Sequence, residues 1–223
     1  MGKLIVIEGV DASGKATQTK LLYEYLKEKF EKVEKIEFPD YESESSSLVK
    51  MYLNGEFGEN ANDVSPYIAS TFFAADRYAS YKTKWEKLYN DGYIIIADRY
   101  VTANMIHQAS KFETKEEKEK FLDWLCDFEY NLYKLPEPDV KLFLNVPPHI
   151  SAELMRERLN KFTEQEEKDI HERDSEYLKK TYENAVYIAD NYGFKKVDCV
   201  KDEKLRTIED IQEEIRRILE NEL

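Results

Sequence analysis

The sequence predicts an α/β fold of three layers, with a five-stranded parallel sheet held between two sets of helices. Three observations carry this. Short apolar runs alternate with longer stretches of helical periodicity, the order that covers a parallel sheet on both faces. The purest runs, 4–7, 93–97 and 142–146, lack polar alternation, as central strands buried on both sides should. The chemically loaded residues fall just past the carboxyl ends of the runs, where such sheets bind ligands.

In chain order, strands are expected at 3–8, 33–38, 93–97, 140–146 and 194–200. Helices are expected at 15–30, 45–54, 65–90, 115–134, 149–160, 173–192 and 206–222. The first helix repeats Leu21, Leu22, Tyr25 and Leu26 on one face, and Ser43 to Ser47 is a polar loop entering the second. Thr114-Lys115-Glu116-Glu117 is a capping box opening another. The run from Lys161 to Glu172 is charged and poorly periodic; it reads either as a solvated loop or as a mobile lid over bound phosphates. No repeat or linker divides the chain, so residues 1–223 are expected to form one domain.

Between the first strand and first helix lies Gly9-Val10-Asp11-Ala12-Ser13-Gly14-Lys15-Ala16-Thr17. A strand, a glycine-bounded loop, a lysine and a helix make a phosphate-binding loop for nucleoside triphosphates. Gly9 and Gly14 let successive N–H groups curl round an anion; the helix N-terminus and Lys15 add positive charge. The residue after the lysine is usually Ser or Thr, whose hydroxyl ligates Mg²⁺. Here it is Ala16, and Thr17 lies about 100° further round the helix. The metal should then rest on water, nucleotide oxygens and a carboxylate elsewhere.

Composition narrows the partners. A net charge of −13 offers no basic field for a nucleic-acid polymer, though a small phosphorylated ligand needs only a local basic pocket. No apolar stretch approaches the roughly 18 residues of a membrane span. The two cysteines, Cys126 and Cys199, form no staple framework, and a cytoplasmic location is the expectation. No Cys/His spacing suggests zinc, and His149 and His171 read as surface residues.

Two Asp-Arg pairs complete the pattern. Asp98-Arg99-Tyr100 closes the third strand beside the phosphate loop, where the acid can hold Mg²⁺ through water and the arginine can fork onto a phosphate. Asp76-Arg77 lies within a helix, and Phe73 and Arg77, at i and i+4, share one face. An aromatic ring and a guanidinium together suit a nucleobase, one stacking and the other reading its edge.

Essentially the whole chain resembles the thymidylate kinases. Residues 8–18 are similar to that family's phosphate loop, Phe38-Pro39 to its turn after the second strand, and Phe73 to Arg77 to its FAADR helix. Asp98-Arg99-Tyr100 with Gln108, Leu135 to Asp139 and Leu144 to Pro148 match further family stretches. The resemblance implies a P-loop kinase fold with a short lid at about 161–172, and Mg²⁺-dependent transfer of the γ-phosphoryl of ATP to dTMP. Residues 9–17 would hold ATP. Asp11, Phe38, Pro39, Tyr41, Phe73, Arg77, Arg99, Asn104, His107 and Gln108 would line the dTMP site. Lys15, Asp11, Asp98 and Arg99 would carry catalysis, and Asp98 would place the metal. Arg158, Lys161, Lys168 and Arg173 are the candidate lid cations, since Ala12 stands where some relatives carry a loop arginine. Asn145 replaces a frequent Asp, a change read as structural.

The resemblance also implies a homodimer, through surplus apolar residues on 65–90: Ile68, Phe72, Tyr78, Tyr81, Trp85 and Leu88. Two rival readings remain. One is a deoxynucleoside kinase, for which Asp40 is the only acid available as a base after the second strand, Glu37 lying within it. The other is a non-catalytic nucleotide-binding protein, suggested by Ala16.

Overall fold

The computed structural model describes residues 1–60, 62–161 and 175–222, with side chains omitted for 156–161 and 175–176. Its elements are β1 (Lys3–Gly9), α1 (Lys15–Lys29), β2 (Val33–Glu37), α2 (Ser47–Leu53), α3 (Pro66–Ser80), α4 (Glu86–Asn90), β3 (Ile94–Asp98) and α5 (Val101–His107). There follow α6 (Lys115–Cys126), β4 (Val140–Asn145), α7 (Pro148–Lys161), α8 (Ser175–Asn191), β5 (Lys195–Asp198), β6 (Val200–Lys201), β7 (Lys204–Leu205) and α9 (Ile208–Glu220).

Five strands form one parallel sheet in the order β2-β3-β1-β4-β5. The apolar runs at 4–7, 93–97 and 142–146 supply its three inner strands, as expected. Successive side chains of a strand point to opposite faces, and the core divides accordingly. Leu4, Val6, Ile95 and Phe143 join the layer containing Tyr100, Ile106, Phe121 and Ile188. Ile5, Ile7, Ile96 and Leu142 join the layer containing Leu22, Leu26, Ile211 and Ile215. In α9, Ile211, Ile215 and Leu219 recur every fourth residue and are buried.

Three expectations change in detail. The expected helix 65–90 is α3 and α4 joined through a π-helical turn at Tyr81–Trp85. The expected helix 115–134 likewise passes into a π-helical turn at Asp127–Leu132. The run 194–200 ends as a sheet strand at Asp198, because Val200 turns away to pair with Leu205 in a small antiparallel ribbon. Helix α5, in a segment with no strong periodicity of its own, was not expected; all but one of its seven residues are buried, so tertiary packing rather than pattern makes it.

Candidate active site

The parallel order brings the exits of β1, β2 and β3 to one edge, round a cavity of about 670 Å³. At one end is the loop after β1, whose residues 11–17 line it. A Cβ on Gly9 would come within 2.5 Å of Ser13 Oγ and 3.0 Å of the Leu144 carbonyl, so only glycine lets the loop fold over the sheet. Gly14, at φ 84, turns the chain into α1. The first helical N–H groups have no partner within the helix and face an anion site. Lys15 is 7% exposed, and its ammonium donates to the Gly9 and Val10 carbonyls at 2.9 Å. Burial, then the neighbouring Arg99 cation, lowers its pKa to about 8, against the pull of Asp11, Asp98 and Glu8. Gly9 and Val10 lie behind the loop wall rather than on it, and Ala16 and Thr17 are exposed.

The middle of the cavity belongs to Asp98 and Arg99. Arg99 adopts φ 65, and its amide donates to the Ile7 carbonyl at 3.2 Å. The buried Glu8 carboxylate accepts from Tyr100 N at 3.2 Å and Thr102 Oγ1 at 2.7 Å, which fixes this turn. Burial pushes the Glu8 pKa up, opposed chiefly by Arg99. Arg99 pairs with Asp11 through Nη2 and with His107 through Nη1. Burial disfavours its cation, but Asp11, Glu8 and Asp98 together outweigh that and hold it charged.

The far end is built by α3 and α5. Phe73 and Arg77 share the inward face of α3, as i, i+4 spacing predicts, and both line the cavity. Behind Phe73 stands Tyr52, edge-on at 6.1 Å. Arg77 is 1% exposed and held by a side chain that no sequence motif marks: Glu129 accepts from Nε and Nη2, each at 2.6 Å. Burial works against the Arg77 charge, and Glu129 restores it. Asn104, His107 and Gln108 line the opposite wall, and Phe38, Pro39 and Tyr41 close the side. Gln108 is 1% exposed, with neither end of its amide bonded among the described residues.

Several sequence expectations need correction or a limit here. Glu37, set aside as a strand residue, lines the cavity at the end of β2, whereas Asp40 is drawn off to Lys84 and its amide donates to Asp76. Leu53, Ala103 and Leu154 were also unforeseen in the lining. Of the six apolar residues singled out on 65–90, Tyr81 and Trp85 are buried in the chain's own core, Leu88 packs half-buried against it and Phe72 packs on Tyr52; Ile68 and Tyr78 are exposed. The candidate lid residues Lys168 and Arg173 lie outside the described residues, as do the side chains of Arg158 and Lys161. Asn145 is structural: its amide donates to Asp198 at 2.8 Å and accepts from Tyr182 at 3.1 Å.

A loop shaped for phosphates at one end, an aromatic and a guanidinium at the other, and a strand-end arginine between them define a P-loop phosphotransferase acting on nucleotides. Comparison with known proteins narrows this class. The family model described as "Thymidylate kinase" matches residues 7–215. A thymidylate kinase of Plasmodium falciparum is 30% identical, over 96% of this chain and 88% of its own. One from Mycobacterium tuberculosis is 31% identical, over 82% and 83%. The solved structure of a Candida albicans thymidylate kinase superimposes with a TM-score of 0.72 at 24% identity, over 99% of this chain and 92% of that one. The chain belongs to the thymidylate kinase family, nucleoside-monophosphate kinases that use ATP as phosphoryl donor.

Proposed function

We propose that this chain transfers the γ-phosphoryl group of ATP to dTMP, with the ATP phosphates on residues 11–17 and dTMP between Arg99 and Phe73. The observation that carries the reading is that one cavity runs from the Lys15 loop to the Phe73 and Arg77 face, past the Arg99–Asp11 pair. Catalysis is mainly positioning and charge neutralisation, since the acceptor phosphate is already ionised and needs no strong base. Lys15 and the loop amides draw negative charge to the donor. Arg99, ionised and directed by its backbone, meets the acceptor phosphate; Asp11 holds the guanidinium until the ligand arrives. Phe73 stacks on the base while Arg77 bonds its edge. Asn104, His107 and Gln108 pack round base and sugar, and the amide of Gln108, unbonded among the described residues, is suited to a polar base edge.

Magnesium fits this donor set. Asp98 supplies one carboxylate on the cavity wall beside the loop, and Mg²⁺ is commonly held by one or two carboxylates, phosphate oxygens and water. When bound, the ion would neutralise phosphate charge. No helix among the described residues is long and apolar enough to cross a membrane. The free thiols of Cys126 and Cys199 fit a reducing cytoplasm. Exposed Ile68, Tyr78 and Leu132 support a homodimer.

The deciding experiment is a coupled ADP-release assay across the nucleoside monophosphates and thymidine. dTMP should be the preferred acceptor. Faster turnover with thymidine would favour a deoxynucleoside kinase using Glu37 as base. An absence of dTMP-dependent ADP release would favour a binding protein.

A further inference from the structure

We propose that Glu129 is a positioning residue for acceptor recognition: it converts Arg77 from an anion-binding arginine into a donor for the neutral carbonyl edge of a keto pyrimidine. The inference rests on the assignment of this cavity end to the base. It stands on a contrast between two arginines in one cavity. Arg99 meets the Asp11 carboxylate through one nitrogen, and both side chains are 20% exposed, so a phosphate can displace that partner. Arg77 meets Glu129 through two nitrogens, and the side chains are 2% and 0% exposed. Such a fork cannot be exchanged for a ligand without leaving a carboxylate stranded in the core.

Donor arithmetic shows what the cavity receives. A guanidinium has five N–H groups. One on Nε and one on Nη2 go to Glu129, and one on Nη1 goes to the Tyr100 carbonyl at 3.3 Å. Among the described residues one N–H on each terminal nitrogen is left without an acceptor, and Arg77 lines the cavity. The full charge behind them is cancelled by a carboxylate standing outside the cavity wall. A neutralised pair of donors favours a carbonyl acceptor, and it disfavours the exocyclic amino group that cytosine presents there. An unpaired arginine at the same place would form a second phosphate site in competition with Arg99.

Stability alone is a weak account of the pair, because buried ion pairs often do no better than apolar side chains of similar volume. Glu129 sits in the π-helical turn after α6, at 0% exposure, aimed across at α3. Its consequence is the fixed direction and cancelled charge of Arg77.

The test compares wild type, Glu129→Gln, Glu129→Asp and the double variant Arg77→Met/Glu129→Leu. Steady-state kinetics with dTMP, dCMP and ATP should be run below each variant's unfolding midpoint. Inorganic phosphate binding should be measured by calorimetry, which needs no turnover. Glu129→Gln should raise the dTMP KM by roughly 10- to 100-fold, the scale of a lost charge-assisted bond, and narrow the preference for dTMP over dCMP. The ATP KM should be unchanged, and phosphate should bind more tightly. Glu129→Asp should recover part of the selectivity. The double variant removes both charges, so it should fold and lose selectivity without gaining phosphate affinity.

The proposal is overturned if Glu129→Gln, folded, keeps wild-type selectivity and phosphate affinity, or if the double variant keeps the wild-type dTMP to dCMP ratio. A wild type inactive on dTMP would instead refute the assigned function, leaving the phosphate measurement to judge Glu129 by itself.

Discussion

Arg99 Nη1 lies 2.8 Å from His107 Nε2. Arginine only donates, so Nε2 accepts and the imidazole proton sits on Nδ1. The same guanidinium pairs with Asp11, so one side chain ties the end of β3 to the phosphate loop and to α5. Its direction is set by a backbone at φ 65, a conformation that costs a residue with a Cβ about 1–2 kcal/mol. Glu8, bonded to the next amide, helps to hold it there. Arg99→Ala should lower kcat/KM for dTMP by about 1.5–3 kcal/mol of lost charge-assisted bonding, roughly 10- to 150-fold. Initial rates at saturating ATP would measure it, and an unchanged dTMP kcat/KM would remove Arg99 from the acceptor site.

Lys15 gives a pH prediction. Its pKa is lowered from 10.5 to about 8, so above pH 8 the folded chain holds fewer protons than the unfolded one. Below pH 8 the buried charge detracts from stability, and that cost fades as pH rises from 8 to 10.5. Bound phosphates should restore the ordinary pKa. ATP should therefore bind with proton uptake at about pH 9 and almost none at about pH 6, and its affinity should fall as pH climbs past 8. Calorimetry in two buffers of different ionisation enthalpy reads the uptake. Lys15→Ala should abolish it along with turnover.

Phe73 should matter to every pyrimidine alike, because stacking does not read an edge. Phe73→Ala should weaken dTMP and dCMP by a similar amount, about 1–3 kcal/mol. The ring also rests on Tyr52, so a modest loss in Tm should accompany it. A dTMP-specific loss would show that the ring does more than stack.

Asn145 faces Asp198 at 2.8 Å. A carboxylate in its place would lose that bond and meet a like charge, costing about 1 kcal/mol at this partly exposed position, or about 2–4 °C in Tm. Thermal melts of Asn145→Asp at neutral pH should show this loss. Adding Asp198→Asn should restore the midpoint. A neutral effect of the single change would mean the contact contributes nothing.

Local pattern makes much of this protein legible. Apolar runs such as Ile94-Ile95-Ile96-Ala97 cannot be exposed, and that alone places the three inner strands. Phe73 and Arg77 are readable because i, i+4 residues share a helix face whatever the fold does. The phosphate loop is readable because part of its constraint is local: a Cβ at position 9 collides with Ser13, four residues on. Helix α5 is not, since packing rather than pattern shapes it, and the π-helical turns read only as helix, because apolar periodicity does not separate a π turn from an α turn.

Periodicity and steric limits between near neighbours suffice to read the parallel sheet, the phosphate loop and most of the residue types that line the cavity. Tertiary structure alone decided what those residues are bound to. Glu129 lies 52 residues from Arg77, and Asp11 lies 88 from Arg99. Tyr81 and Trp85, apolar enough in sequence to suggest a second subunit, are absorbed by the chain's own core. Partners so distant carry no periodic signal. They meet only when the strand order β2-β3-β1-β4-β5 and the helices packed on it bring them together, and burial there sets which charges are cancelled and which remain for a ligand.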